Sequence, residues 1–390
     1  MKAYNFDAPP SRRGTSCFKW DCKPNELPMW IADMDFEAAP EIRAALQKRL
    51  DHGIFGYDDM GEDWYQAYIG WWRDRHGLVM EKENLIFSAG VVPSISSLVR
   101  KLTTPNENVL LQTPVYNIFF NSVVNNGCRV LESPLVRAGE DWQIDFDDLE
   151  ARLADPQTTL MILCNPHNPV GRIWTRKELA RIGALCQKHR VTVISDEIHC
   201  DLTAPGKGYV PFASVDETCR SVSITCIAPT KCFNLAGMHS SAVYAADPLL
   251  RHKAWRALNT DEVAEPGTFA CPAAVAAFTE GGPWLDALRE YVWENKRLVR
   301  DFAGRELPGL KIPVSDATYL IWADVSELTD NVKDFTARLR AETGLWVTPG
   351  TAYGKTGEGF FRMNVACPRS TVEDALERLK TFLRNTTVRK

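Results

Sequence analysis

The sequence predicts an α/β protein: a large domain on a mainly parallel seven-stranded sheet, followed by a smaller α/β C-terminal domain. Short apolar segments bounded by turn residues are typical of buried strands. Seven of them occur, at 84–88, 108–112, 128–133, 159–164, 191–195, 221–227 and 240–246. Longer amphipathic segments lie between them. Strands that are apolar on both faces and alternate with helices indicate a mainly parallel sheet.

The clearest helix pattern lies between the fourth and fifth predicted strands. It reads TRKELARIGALCQKHR, and Leu179, Ile182 and Cys186 fall on one face. Thr175 and Glu178 have the spacing of a capping box, in which each side chain bonds the other residue's backbone N–H. The sequence therefore predicts a helix that begins directly after Thr175.

The two ends of the chain differ from its middle. Residues 1–45 form an irregular, proline-containing N-terminal segment, which we expect to pack against the small domain. Residues 46–283 hold the predicted strands and form the large domain. Residues 284–390 begin with a long helical pattern and then alternate strand and helix patterns, which predicts the small domain.

Composition and charge favour small-molecule chemistry. The 390-residue chain has a net charge of −5 and no long run of like charge, so we expect no nucleic-acid partner. The N-terminus lacks the apolar core of a secretory signal, and the most apolar helical run is too short to span a membrane. Eleven scattered cysteines without zinc-type spacing predict a reduced, cytoplasmic protein with no metal site.

Four stretches follow predicted strands, the places where open α/β sheets bind ligands. In FSAGVVPSISSLVR, a helix that starts after Gly90 would point the free N–H groups of Val91 and Val92 at an anion such as a phosphate. In LCNPHNPVGR, Asn165 and Asn168 could hydrogen-bond a ligand in the cleft. The alternatives are an ordinary strand–turn–helix connection and turn chemistry alone.

The other two stretches supply charged groups. Asp196 and Glu197 in VISDEIHCDL directly follow an apolar strand, where a carboxylate is costly unless it meets a cation. The alternative is a helix N-cap. Lys231 ends the stretch SVSITCIAPTK, and a desolvated lysine has a lowered pKa and becomes nucleophilic. The alternative is an exposed loop lysine, the usual position of this residue type.

Together the four stretches provide an anion site, an amide, a carboxylate and a lysine at strand ends. Pyridoxal 5′-phosphate (PLP) requires this combination. The lysine forms a Schiff base with its aldehyde, and the helix start holds its phosphate. The carboxylate keeps the pyridine nitrogen protonated, and the amide can bond the ring oxygen.

Eight segments, in this order, carry a resemblance to a known family. They are LPMWIADMDF, GIFGYDDM, SAGVVPSI, TPVYNIFF, CNPHNPVGRIWT, SDEIHCDL, APTKCFNLAG and FRMNVACPR. Over nearly its whole length the chain resembles fold-type I PLP enzymes of the aspartate-aminotransferase superfamily, and more narrowly the MalY/PatB-type cystathionine β-lyases (C–S lyases). The resemblance implies α,β-elimination of L-cystathionine or related cysteine S-conjugates to a thiol, pyruvate and ammonia.

The resemblance also implies roles around the cofactor ring. Lys231 would carry the Schiff base and move the Cα proton. Asp196 would pair with the pyridinium nitrogen, and Asn168 would bond the ring oxygen close to the substrate. Tyr116 would stack on the face of the ring.

Further roles concern the phosphate and the substrate. Val91 and Val92 would hold the phosphate through their backbone N–H groups. Tyr57 would reach the phosphate and substrate of a neighbouring subunit, so the resemblance implies a homodimer with shared active sites. Arg362 would bind the α-carboxylate of a small amino-acid substrate, and residues 1–45 would lie at the mouth of the site.

The chain departs from common aminotransferases at three positions. His199 replaces a tyrosine, His239 replaces an arginine that binds phosphate, and Ala228 replaces a serine, which leaves Thr230 as the nearby hydroxyl. We include His199 and Thr230 among the cofactor-binding residues, although a structural hydrogen-bonding role for His199 is the alternative. These replacements favour a lyase over a transaminase.

Two other functions remain open on the same fold. An aminotransferase would need a keto-acid acceptor, whereas a lyase needs none. A PLP-binding regulatory protein would keep only residual lyase activity. The sequence does not determine which thiol leaves, because this depends on the shape of the pocket.

Overall fold

The computed structural model describes residues 4–387. The outermost residues of the first and last predicted segments, 1–3 and 388–390, lie outside the described residues. The strands are β1 (Leu27–Pro28), β2 (Leu85–Ser88), β3 (Asn108–Leu111), β4 (Arg129–Glu132), β5 (Val136–Ala138), β6 (Asp141–Gln143), β7 (Thr158–Cys164), β8 (Thr192–Asp196), β9 (Ser223–Ile227), β10 (Ser241–Tyr244), β11 (Leu320–Asp324), β12 (Leu345–Trp346), β13 (Thr348–Pro349) and β14 (Phe360–Asn364). The helices are α1 (Pro40–His52), α2 (Glu62–Trp71), α3 (Val91–Leu102), α4 (Ile118–Val124), α5 (Phe146–Leu153), α6 (Arg176–His189), α7 (Glu217–Ser221), α8 (Pro248–Thr260), α9 (Ala270–Glu280), α10 (Gly282–Glu306), α11 (Val332–Thr343) and α12 (Arg369–Thr387).

The central sheet has seven strands in the order β2-β10-β9-β8-β7-β3-β4. All its neighbours pair in parallel except β10, which is antiparallel to both β2 and β9. The seven strands are the seven predicted ones, so the predicted sheet is confirmed. Cys164 pairs with Asp196, and Asp196 pairs with Cys226, so the carboxyl ends of β7, β8 and β9 lie side by side.

Local sequence patterns determine where the helices on this sheet begin and which face they bury, as α6 shows. Helix α6 begins after Thr175, whose hydroxyl accepts the Glu178 N–H while the Glu178 carboxylate accepts the Thr175 N–H. The predicted capping box is therefore present. Its apolar face is buried, and Leu179 and Ile182 lie among the buried residues of the helix. Such a face is what packs a helix onto a sheet.

A second group of helices forms an aromatic core on the N-terminal side. Trp64, Tyr68, Trp71 and Trp72 are all buried along α2 and the turn that follows it. The alanine-rich helix α9 packs against both α1 and α2, because its small side chains permit close approach. Within residues 4–387, no helix is both long and apolar enough to span a membrane.

The C-terminal part contains helices α10 to α12 and a three-stranded sheet in the order β11-β14-β13. Strand β1 pairs in parallel with β12, so residues near the N-terminus join this part. Leu27 and Met29 are buried in one apolar cluster with Val299, Leu339 and Phe361. The two-residue strands and the β5–β6 hairpin were not predicted, because they are too short to show a period.

Candidate active site

A cavity of about 220 Å³ opens at the carboxyl ends of β7, β8 and β9. Open α/β sheets generally bind their ligands at this edge. Eight of the predicted site residues line it: Val91, Val92, Tyr116, Asn168, Asp196, His199, Thr230 and Lys231. Arg362 and Tyr57 do not line the cavity, but Arg362 donates a hydrogen bond to Asn168, which does.

Lys231 comes four residues after the end of β9, and its side chain is partly buried. Its Nζ donates a hydrogen bond to the carbonyl oxygen of Ala32 at 2.7 Å. Burial lowers the pKa of Lys231, and the positive charge of Arg362 lowers it further, while the carboxylates of Asp33 and Asp196 oppose the shift. A lysine amine with a lowered pKa is a better nucleophile and base near neutral pH.

Asp196 is the last residue of β8 and is 4% exposed. One carboxylate oxygen accepts the N–H of Ile198 at 3.1 Å. Turns rather than a helix follow it, so the N-cap alternative does not apply. Burial raises the pKa of Asp196 to about 7, while the backbone hydrogen bond and the charge of Lys231 oppose the shift. A buried carboxylate with so few partners suits a cationic ligand group.

Glu197, the neighbouring carboxylate, forms hydrogen bonds within the protein. It accepts hydrogen bonds from the Ser195 hydroxyl at 2.7 Å, the Tyr209 hydroxyl at 2.9 Å and the Phe212 N–H at 2.9 Å. Burial raises its pKa to about 7 as well. Of these two carboxylates, Asp196, the predicted partner of the ring nitrogen, lines the cavity and Glu197 does not.

Arg362 lies on β14 and is 4% exposed. Its guanidinium donates to the Asn168 side-chain oxygen at 3.2 Å and to the Trp30 carbonyl at 3.1 Å, and lies over the Tyr353 ring. Its Nε is buried and has no hydrogen-bond partner among the residues that the structure describes. A buried guanidinium with an unused donor is suited to an anion such as a carboxylate. Asn165, by contrast, donates to the Val210 carbonyl.

The start of α3 forms the anion side of the cavity. No side chain caps this helix, which begins at Val91 after Gly90. Val91 and Val92 both line the cavity, and the N–H groups of a first helical turn favour a phosphate. Thr230 and the exposed His239 line the same cavity.

His199 and Tyr116 contribute uncharged rings. Burial lowers the pKa of His199 to about 3, so its imidazole is neutral at physiological pH. Its Nδ1 is buried and finds no hydrogen-bond partner within residues 4–387. Burial also raises the pKa of Tyr116 to about 12, so its phenol stays protonated. Both rings are therefore available to pack on or bond a flat aromatic ligand.

Tyr57 lies in the loop between α1 and α2, and its side chain is fully exposed. It is not among the residues that line the cavity of its own chain. The role predicted for it concerns the site of a second subunit, and it stays a prediction.

Two contributors to the site were missed. The Ala32 carbonyl that accepts from Lys231 belongs to the backbone, which carries no side-chain signal. Tyr319 is 1% exposed, and its ring centroid lies 6.3 Å from that of His199. In the sequence it belongs to an apolar strand pattern, from which its position beside the site could not be deduced.

One further polar group has the spacing of metal ligands. The ligand atoms of His76, Cys200 and Asp201 lie within 4.8 Å of one another. They already hydrogen-bond within the group, and Asp201 also accepts from Trp71 at 3.1 Å. These contacts account for the cluster without an ion.

The residues around the cavity fit PLP. The uncapped start of α3 suits its phosphate, and Asp196 has room for a cationic partner such as a pyridinium nitrogen. The buried Nδ1 of His199 and Nε of Arg362 have no hydrogen-bond partner in the described part of the chain, so both could bond a ligand. Lys231 provides the amine that the aldehyde requires.

Comparison with known proteins agrees with this chemistry. Residues 27–379 match the family model for aminotransferase class I and II. Cystathionine β-lyase PatB of Bacillus subtilis is 43% identical over 97% of this chain and 100% of its own length. Protein MalY of Escherichia coli is 32% identical over 98% of this chain and 99% of its own. The structure of cystalysin from Treponema denticola, which contains PLP, superposes with a TM-score of 0.95 at 32% identity and covers 98% of this chain and 99% of its own.

These similarities confirm the predicted fold, the PLP cofactor and the C–S lyase resemblance. The chain belongs to the aminotransferase class I and II family, within its PLP-dependent cystathionine β-lyase branch.

Proposed function

We propose that this enzyme cleaves the Cβ–S bond of L-cystathionine or a related cysteine S-conjugate and forms a thiol, pyruvate and ammonia. One observation carries the proposal. A lysine amine and a buried carboxylate, those of Lys231 and Asp196, line the same cavity, and the buried guanidinium of Arg362, which has an unused donor, bonds Asn168, which also lines it. This set can hold an α-amino acid by its carboxylate and remove its Cα proton.

Bound PLP supplies an aldehyde for Lys231 and a conjugated ring that takes up the electrons of the broken Cα–H bond. Asp196 would hold a proton on the ring nitrogen, and Asn168 would donate to the ring oxygen. Tyr116 would pack on the ring face. The N–H groups of Val91 and Val92 would hold the phosphate at the start of α3.

Thr230 and His199 complete the cofactor site in this proposal. The Thr230 hydroxyl would add a donor for the phosphate, because Thr230 borders the cavity with the start of α3. The neutral imidazole of His199 would bond or pack against the ring without adding charge.

Lys231 would act as the base that removes the Cα proton of the bound substrate. Its lowered pKa leaves a larger neutral fraction to accept the Cα proton. Arg362 would fix the substrate carboxylate through two parallel hydrogen bonds, which orients the Cα–H bond toward Lys231. Breaking the Cβ–S bond releases the thiol, which takes up a proton. Water then converts the remaining three-carbon product to pyruvate and ammonia.

The direct test records absorption from 300 to 500 nm and then adds L-cystathionine without any keto acid. We expect a visible cofactor band and equal amounts of thiol and pyruvate. Accumulation of the amine form of the cofactor without pyruvate would indicate an aminotransferase. A band with negligible turnover would favour a regulatory protein. Absence of the band after addition of PLP would contradict the role of Lys231.

We further propose a homodimer with shared active sites. Ile54, Phe55 and Tyr57 are exposed by 67%, 53% and 102%, and they cluster in the loop between α1 and α2. Exposed apolar clusters of this kind are typical of protein interfaces. Tyr57 would contact the cofactor phosphate and substrate of the second subunit. Mixing the inactive Lys231→Ala variant with a Tyr57→Ala variant should restore activity above either parent if the sites are shared.

We propose the division into an N-terminal segment (1–45), a large domain (46–283) and a small domain (284–390). The pairing of β1 with β12 supports contact between the first and third parts. The bond from Lys231 to Ala32 supports a position of the first part at the mouth of the site. All eleven cysteines are free, which supports a location in the cytoplasm.

A further inference from the structure

Lys296 is a lysine outside the cavity that the protein holds in an unusual environment. It lies on α10 and is 7% exposed. Its Nζ donates to the carbonyls of Ala317 at 3.1 Å and Thr318 at 2.9 Å, and to the Ser315 hydroxyl at 3.0 Å and carbonyl at 3.3 Å. Within residues 4–387, these acceptors all belong to residues 315–318, called here the 315–318 loop, which precedes β11.

Burial of this amine is costly and therefore needs an explanation. An ammonium group has three N–H donors, and oxygen atoms of the loop engage them without a carboxylate at bonding distance. Burial lowers the pKa of Lys296 to about 7. An apolar side chain of the same length would fill the same volume without that cost. We therefore expect Lys296 to stabilise the conformation of the 315–318 loop.

The 315–318 loop crosses from the small domain to the large domain. The Ala317 N–H donates to the Gly171 carbonyl at 2.9 Å, and the Thr318 N–H donates to the Leu202 carbonyl at 2.7 Å. The approach at Gly171 is close, because a Cβ atom there would lie 1.8 Å from the Ser315 hydroxyl oxygen. Gly171 also has a φ of +70°, which favours glycine.

Both contacts on the large domain lie next to the active site. Gly171 comes three residues after Asn168, and Leu202 comes three residues after His199. The next residue of the small domain, Tyr319, packs its ring against His199 with centroids 6.3 Å apart. The loop therefore touches the large domain at the two segments that carry Asn168 and His199 into the cavity.

We propose that Lys296 is a positioning residue for the active site. By holding the 315–318 loop in shape, it fixes the relative placement of the two domains. That placement lets Arg362 of the small domain reach Asn168 of the large domain at 3.2 Å. The proposal rests on the proposed function only for its effect on substrate binding, since the effect on the loop is independent of the reaction.

The test compares three holoenzymes with the wild type. Lys296→Met removes the donors but keeps the length of the side chain, and Lys296→Arg restores a charged donor. Val299→Ala, one turn further along α10, removes buried apolar volume from the small-domain cluster and serves as the matched control. Hydrogen exchange by mass spectrometry on segments 200–206 and 315–319 is measured together with kcat and KM.

In Lys296→Met we expect exchange in both segments to be faster by about tenfold, because the hydrogen bonds that hold the loop lose their donor. KM for the amino acid should rise more than kcat falls, since the carboxylate site spans the two domains. Lys296→Arg should recover part of both effects. Val299→Ala should show neither the segment-specific exchange nor the rise in KM.

Wild-type exchange in both segments of Lys296→Met would overturn the proposal. So would an increase spread evenly over the chain as in Val299→Ala, which would indicate a purely structural role. If Lys296→Met does not fold, Ser315→Ala removes one acceptor and should give a smaller effect in the same two segments. If the wild type shows no lyase turnover, the proposed function fails, but the exchange data still decide on Lys296.

Discussion

Two enclosed lysines show how hydrogen bonding can separate a group proposed to react from one that is held in place. Among the described residues, the amine of Lys231 donates to one acceptor, the carbonyl of Ala32. The amine of Lys296, on α10, donates to four oxygen atoms of the 315–318 loop. Burial lowers the pKa of both. A lowered pKa alone therefore does not distinguish the lysine proposed to react, whereas the smaller number of hydrogen bonds does.

The largest effect is expected at the lysine with few partners. Lys231→Ala should abolish both the visible cofactor band and the formation of pyruvate, because neither the Schiff base nor the base for Cα remains. Absorption spectra and a pyruvate assay measure both results. Retention of the band together with turnover would mean that another amine performs this role. The number of hydrogen bonds would then not distinguish Lys231 from Lys296 as the reactive lysine.

A smaller loss is expected at the carboxylate that faces the cavity. Asp196→Asn should bind cofactor but react more slowly by at least about a hundredfold, because an amide cannot keep the ring nitrogen protonated. The matched control is Glu197→Gln, whose position has three protein partners. We expect that variant to lose stability in thermal unfolding more than it loses turnover. Near-normal turnover in Asp196→Asn would contradict its pairing with the cofactor.

Substrate binding should depend on the planar guanidinium of Arg362. Arg362→Lys keeps the charge but loses the bidentate geometry, so kcat/KM should fall by roughly ten- to a hundredfold. Steady-state kinetics with L-cystathionine measure this, and the cofactor band should persist because Lys231 is unchanged. A loss of the band instead would place Arg362 in cofactor binding rather than in substrate binding.

The two lysines should respond in opposite directions in the cofactor-free protein. Lys231→Met should stabilise it by about 1 kcal/mol near neutral pH, because an ammonium with one acceptor is removed from a partly buried site. Lys296→Met should destabilise it by about 2–3 kcal/mol, because buried carbonyls lose their donor. Denaturant unfolding measures both differences. Equal signs would show that the number of hydrogen bonds does not separate the two lysines.

The pH dependence of protein stability gives a further test of the buried amine of Lys231. The pKa of Lys231 in the folded protein lies below its ordinary value of 10.5, so the unfolded chain binds more protons between these two values. The stability of the wild type should therefore rise with pH across that window. The gain from Lys231→Met should shrink toward pH 10, as measured by unfolding at a series of pH values.

The sequence predicts those parts of the fold that depend on local patterns. The seven central strands and the helix that begins after Thr175 follow from apolar runs and a capping box. The chain order of strand ends also brings Asn168, Asp196 and Lys231 to one cavity. These predictions succeed because parallel strands place their carboxyl ends at the same edge of a sheet.

The remaining features depend on contacts between distant parts of the chain. Lys296 lies in a charged helical stretch and resembles a surface lysine, since its acceptors come from a loop beyond the end of α10. The apolar strand pattern alone does not distinguish Asp196 from Glu197, and the choice of Asp196 came from the family resemblance. Their difference arises from Tyr209 and Phe212, which approach Glu197 from another loop.

The position of the N-terminal segment bears on the order in which the enzyme matures during its synthesis. The carbonyls of Ile31 and Asp33 accept hydrogen bonds from the Asn364 side chain, each at 2.7 Å. The Ala32 carbonyl between them accepts from Lys231. The backbone on both sides of Ala32, which lines the cavity, is thus held by a residue that the ribosome makes more than 300 residues later. A nascent chain can pair the strands of the central sheet first, but this wall of the cavity is fixed only after Asn364 has been made.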